Sequence, residues 1–312
     1  MVNLLSANNF YGDPTLQDII LRNIVDYMRY GLLEIGAYYN IEIDQNNIFG
    51  TNESILQPIL NVSGITNYTR YRGFKPDWVW ETGIILSFTG GNSPIEISGI
   101  LVDGGFVGTG AKFSGTGYHI DYPNGHIVFD NPLDSANIVK CPHTIRWVSV
   151  YEDEGYIYRK LTTDWISKTG GSGLNYDIQE RAYLPAIFVG INTMRTLRGI
   201  ELGGHGKVAE INIEFNLLSA NPSDNRKLTD ICYMMENKTI QMYNLKTAPR
   251  PLNISGSINN GALTFPAMVS GYPANNYSRF FENSKYQKLK HSPLPVYHSK
   301  VTVGLECNVF PV

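Results

Sequence analysis

The sequence predicts an α+β chain: an α/β core interrupted by a large all-β insertion and followed by an extended C-terminal arm. Three observations predict it. Apolar residues between positions 13 and 37 recur near the 3.6-residue period of a helix. Residues 208–217 alternate apolar and polar, the period of a half-buried strand, and run into a helix start at Asn221-Pro222. Between them, residues 40–160 break into short β-prone runs punctuated by glycine, proline and asparagine. The boundaries read as 1–39 for the N-terminal helix of the core, 40–160 for the insertion, 161–245 for the α/β core and 246–312 for the arm.

The first helix is expected over 13–37. Asp13 can cap it and Pro14 sits at the first turn, where its missing N–H costs nothing. Ile19, Ile20, Ile24, Tyr27, Met28 and Leu32 form the buried stripe, Arg22, Asp26 and Arg29 lie off it, and Gly36 ends it. In the insertion the β-prone runs are Trp78–Thr82, Ile84–Phe88, Ile95–Val102, Gly117–Asp121, His126–Phe129 and Thr144–Tyr151. Pro123-Asn124-Gly125 joins two of them as a hairpin, because Asn-Gly supplies the positive φ angles such turns need. Strands spaced this way read as a small sandwich or barrel. Gly170-Gly171-Ser172-Gly173 marks a flexible joint or surface loop. Pro185–Ile191 is then an apolar strand. Ile211, Ile213, Phe215 and Leu217 face one side of the next strand, and Glu210, Asn212, Glu214 and Asn216 the other. Leu228, Ile231, Cys232 and Met235 give the following helix one apolar stripe, Thr239–Leu245 returns as a strand, and Val301–Val309 alternates as the last.

Apolar residues make up 43% of the 312, enough to build a core and to exclude general disorder. The formal charge is −3, which argues against a wholesale nucleic-acid binder. Residues 246–312 carry seven Lys/Arg against Glu282 and Glu306, a balance of +5 that leaves −8 for residues 1–245. That basic strip is either a solvated tail or a surface that docks on an acidic neighbour. Three widely separated cysteines fit neither a disulfide framework nor a zinc cluster. No apolar run is long enough to span a membrane, and the first residues lack a basic secretory n-region, so the expectation is a soluble chain made in a reducing compartment.

The catalytic signals are sparse. Gly203-Gly204-His205-Gly206-Lys207 invites a phosphate-loop reading, but Glu201 stands where the first glycine belongs and Val208 where a magnesium-binding hydroxyl should follow. None of the six histidines forms an HExxH or H-x-H pair. His119 and His126 flank the expected hairpin turn and can approach across it, but two ligands do not make a metal site. Glu152-Asp153-Glu154 reads as a solvated turn. Tyr68, Tyr71, Phe74, Trp78 and Trp80 form an aromatic cluster that suits core and interface packing better than a sugar platform. The expectation is therefore no catalytic residues, no cofactor and no metal.

Several pieces carry a family resemblance: Asp13–Leu33, Leu184-Pro185-Ala186-Ile187-Phe188-Val189, Val208–Leu217, the polar turn Ser219–Ser223, and Asp224–Glu236. Their order, helix, strand, strand, helix, resembles the tail terminator and neck ring proteins of tailed bacteriophages, over about 90 residues. The segment Gly117–Phe129 is similar to β segments of phage virion proteins. The resemblance implies a terminator-like α/β core and a non-enzymatic virion protein at the head–tail connector region. It would form a homo-oligomeric ring of six subunits with other neck and tail proteins as partners, assembled in the host cytoplasm. DNA would pass through the channel without specific binding, and no membrane is involved. On this reading Trp78, Trp80, Arg250, Lys285, Lys288 and Lys290 are interface residues, while Glu210 and Glu214 face the channel. The alternatives are a glycan-binding or other peripheral tail protein using the β domain as its platform, and a hydrolase whose carboxylate pair the spacing does not select.

Overall fold

The computed structural model describes residues 16–43, 53–59, 68–81, 84, 93–134, 136–153, 182–199, 207–235, 238–259, 263–280, 285–288 and 296–309. The chain is α+β and richer in strand than in helix. It divides into two compact units. One takes its described residues from Met1–Arg29, Ser149–Pro249 and Phe265–Val312, the other from Tyr30–Val148 and Arg250–Thr264. The expected joint at 161–180 lies outside the described residues.

The first unit is built on one sheet. Its strands are β10 (Ser149–Glu152), β11 (Ala186–Gly199), β12 (Lys207–Ser219), β16 (Tyr297–Val309), β14 (Pro273–Phe280) and β13 (Thr239–Tyr243), in that spatial order, with β15 (Lys285–Lys288) pairing β16. β10 joins β11 in parallel and the other pairings are antiparallel. The alternation of residues 208–217 has the expected consequence. Ala209, Ile211, Ile213, Phe215 and Leu217 are buried on one face, and register sets them opposite Cys307, Leu305, Val303, Val301 and Ser299. Residues 246–312, expected as an extended arm, instead supply β14, β15 and β16 to this sheet.

Three helices accompany the sheets among the described residues: α1 (Leu16–Glu34), α2 (Pro222–Tyr233) and α3 (Phe265–Gly271). Helix α2 starts where the sequence placed it: the Asn221 side chain accepts from the Asp224 N–H and Pro222 occupies the first turn. Its Asn225 is buried and donates to the Leu217 and Tyr297 carbonyls, while its Oδ1 accepts from the Ser299 hydroxyl, so α2 packs across β12 and β16. Ordered sheets with open edges attract other chains, and α1 reaches both edge strands of this one. Arg22 meets Glu152 on β10 at 3.4 Å, and the fully buried Asn23 brackets Tyr243 on β13, donating to its carbonyl at 3.0 Å and accepting its N–H at 2.8 Å. Asn23→Ala strands two buried backbone groups and is expected to lower stability by roughly 1–3 kcal/mol, read by urea denaturation.

Among the described residues the second unit gathers three sheets around an apolar core. They are β1 (Tyr38–Ile41) with β9 (His143–Arg146); β2 (Gln57–Ile59), β3 (Tyr68–Arg72), β7 (His126–Leu133) and β6 (Tyr118–Asp121) in that order; and β5 (Gly105–Gly108), β4 (Gly99–Val102) and β8 (Val139–Lys140). Ile100, Ile120, Ile127, Phe129, Val139 and Ile145 meet in the core. The expected hairpin at 118–129 forms, with Asp121 opposite His126, but of the Asn-Gly pair only Gly125, at φ 65°, takes a positive φ. A Cβ at Gly125 would lie 2.8 Å from the Lys75 carbonyl oxygen, so the turn needs glycine for space as well as for angle. Trp78–Thr82 makes no strand among the described residues, only an isolated bridge from Trp78 to Ile145. The run Thr144–Tyr151 splits into β9 and β10, which belong to different units.

Candidate functional site

The sheet of the first unit has a second face, and it is polar. Register aligns Glu210 with Glu306, Asn212 with Gly304, Glu214 with Thr302 and Asn216 with Lys300. Asn212 is exposed and both glutamates of β12 are partly exposed, so this face reaches solvent. It is ordered by a chain of polar contacts. Asn216 donates to Asp153 at 3.0 Å and its Oδ1 lies 3.1 Å from His298 Nε2, and Lys300 pairs with Glu214 at 2.7 Å. Burial holds the His298 imidazole below its ordinary value despite the nearby Asp153 carboxylate. Beyond that chain the face turns apolar, where Phe188 stacks on Tyr151 and packs with Ala186 and Leu218.

Of the two residues expected in the channel, both lie on this face. Glu214 pairs with Lys300, and Glu210 stands across the ladder from Glu306, which in turn has Arg279 of β14 opposite it on its other side. The sequence had no means of finding Glu306, because the pairing joins positions 96 residues apart. Glu152 and Asp153, read as a solvated turn, instead hold Arg22 and Asn216.

The expected interface residues scatter. Trp78 is a correction: it is 0% exposed, its ring stacks on His143 with centroids 4.1 Å apart, and its Nε1 donates to the Lys75 carbonyl. The backbone turns at Asp77, whose φ is 60°, and carries Trp78 and Val79 inward together, so no strand edge presents the tryptophan. Trp80 is partly buried against the same core. Arg250 is exposed. Lys285 and Lys288 lie in β15, paired with Thr302 and Ser299, and Lys290 lies outside the described residues.

Below Trp78 lies a buried ionic cluster that the sequence did not reveal. Arg146, 2% exposed, donates to both oxygens of Glu81 and lies 3.4 Å from Asp77. Lys75 donates to the Arg146 and Trp147 carbonyls, and burial pushes its ammonium down to about 8 against the pull of Asp77. These groups are buried and pair mainly with one another, which is the pattern of a structural network. His143 is wholly buried. Its Nδ1 lies 2.9 Å from the Cys141 carbonyl and its Nε2 has no partner, and burial drives it down to about 4. The folded state therefore binds fewer protons than the unfolded state between pH 6.5 and 4. Stability is expected to fall as pH drops through that window, by up to about 3 kcal/mol for this group. Denaturation midpoints measured across pH 4–7 should show that acid slope, and it should flatten in His143→Phe.

His119 and His126 share one face of the hairpin, with His126 buried and His119 partly exposed. No group of three metal-ligating side chains occurs among the described residues. All three thiols are buried, and burial raises Cys141 and Cys232 far above the thiolate range. The phosphate-loop glycines 203–206 lie outside the described residues. No helix is long and apolar enough to cross a membrane among the described residues. Comparison with family models, curated proteins and solved structures finds no match to this chain.

Proposed function

We propose that the chain is a non-catalytic structural subunit of a tailed-phage virion, forming a homo-oligomeric ring at the neck or tail end that joins head and tail components. The observation that carries this reading is the open polar face of the β11–β12–β16 ladder. Its side chains are locked to one another by hydrogen bonds and an ion pair, with Glu210 and Glu306 facing each other across adjacent strands. A channel wall has to let DNA slide without gripping it. Carboxylates on such a wall repel phosphates, and cations held opposite carboxylates, as Lys300 is by Glu214, release few counterions. The order of α1, β11, β12 and α2 supports the same reading, since it keeps the helix–strand–strand–helix sequence of terminator proteins and its long ladder. A closed ring reuses one heterologous interface at every step. Low charge and abundant tyrosine and asparagine suit surfaces that must be adhesive in the assembly and tolerated outside it.

Light scattering on the purified chain over a wide concentration range tests this. A mass fixed at one multiple of the subunit, six on the present reading, supports the ring. A strictly monomeric mass at the highest concentration overturns it.

A further inference from the structure

The hairpin of the second unit carries a groove that the ring reading does not use. In β6 and β7, Ile120, Ile127 and Phe129 point to the core, so register turns His119, Asp121 and Val128 to the opposite face, and β3 adds Arg70 beside Val128. Residues 252–258 fold into a closed loop bordering that face. Leu252 bridges Ile258, and the Asn253 carboxamide oxygen accepts the Ser255 and Ser257 N–H groups. The loop is fastened along β6 by Tyr122 N–H to the Gly256 carbonyl at 3.1 Å and by the Ser257 hydroxyl to the Ile120 carbonyl at 2.7 Å. Between loop and hairpin lies a groove of about 380 Å³.

Its walls are built to hold their shape. Asp121 accepts from the Asn124 amide side chain at 2.8 Å. Gly256, at φ 77°, lets the loop approach so closely that a Cβ there would collide with the Asp121 carboxylate. Pre-formed walls lower the ordering cost of binding.

We propose that this groove binds one ring of a neutral polyhydroxylated ligand, a hexose-sized sugar. Its volume falls in the range of small-molecule sites, about 300–1,000 Å³. Its lining is mainly polar rather than apolar: Arg70, His119, Asp121, Asn124 and Asn253 offer planar donors and acceptors and Ser255 a hydroxyl, the complement of adjacent hydroxyls. Among the described residues of the lining, one guanidinium, Arg70, and one carboxylate, Asp121, offset each other, so a charged ligand of either sign gains little net attraction while a neutral polyol can use both. Pro123, Val128 and the fully exposed Ile254 supply aliphatic surface for the C–H face of a sugar ring.

Saturation-transfer NMR on the full chain with glucose, galactose, mannose and N-acetylglucosamine, each at millimolar concentration, is the test. At least one sugar is expected to show transfer to its ring protons. Its affinity should fall by about tenfold or more in Arg70→Gln, as expected for loss of a charge-assisted hydrogen bond, with the thermal midpoint unchanged. His119→Gln serves as the second variant should Arg70→Gln fail to fold. Offering the same sugar free and as the end residue of an oligosaccharide separates a free metabolite from a glycan terminus, and transfer in either form supports the groove. No transfer from any sugar, transfer undiminished in the folded variants, or binding of inorganic phosphate alone overturns the proposal.

Discussion

Arg146→Met is expected to destabilise the chain by about 3–5 kcal/mol, because it strips the cation from two buried carboxylates rather than removing an ion pair whole. Arg146 is 2% exposed, and Glu81 and Asp77 both turn toward it inside the second unit. In its absence Glu81 must protonate, move or carry an uncompensated charge. Urea denaturation monitored by tryptophan fluorescence reads the loss. The contrast is Lys300→Met on the open sheet face, where the pair with Glu214 is partly solvated and the expected cost is below about 1 kcal/mol. Equal losses in the two variants would contradict the assignment of Arg146 to a buried network.

Trp78→Ala is expected to cost about 3–5 kcal/mol, the usual range for deleting a buried aromatic side chain. It removes the ring stacked on His143 and the donor to the Lys75 carbonyl. Trp78→Phe should recover much of the packing but not the hydrogen bond. Trp80→Ala, at a partly buried position, should cost less. A fully folded Trp78→Ala chain that only lost assembly would restore the interface role that burial argues against.

What the sequence revealed was local. The stripe of α1, the cap of α2 at Asn221, the Asn-Gly turn of β6–β7 and the alternation of β12 each follow from the chemistry of neighbouring residues, and the structure contains all four. What it hid depends on contacts across distance. Nothing near Tyr297 tells that this strand enters the sheet between β12 and β14, or that residues 250–264 return to the second unit while their flanks belong to the first. Asn23 and Tyr243 meet across 220 positions, and Arg146 and Glu81 across 65. Polar residues buried by such meetings leave no period in the sequence. Trp78 misled for a related reason: Trp78-Val79-Trp80 looks like an alternating edge, but the turn at Asp77 buries consecutive residues, which alternation cannot encode.

The site was partly legible. Glu210 and Glu214 were marked as one polar face by alternation alone, but their surroundings were set by distant strands: β16 brings Lys300 to Glu214 and Glu306 opposite Glu210, and β14 brings Arg279 opposite Glu306. The groove was foreshadowed only by His119 beside the turn. Its other wall, the loop at 252–258, lies more than 120 residues further along the chain.

Negative-stain electron microscopy of the purified chain at high concentration addresses the ring directly. Annular particles with a central hole and one dominant rotational symmetry are expected. A field of compact single subunits under every condition of salt and concentration would contradict the ring.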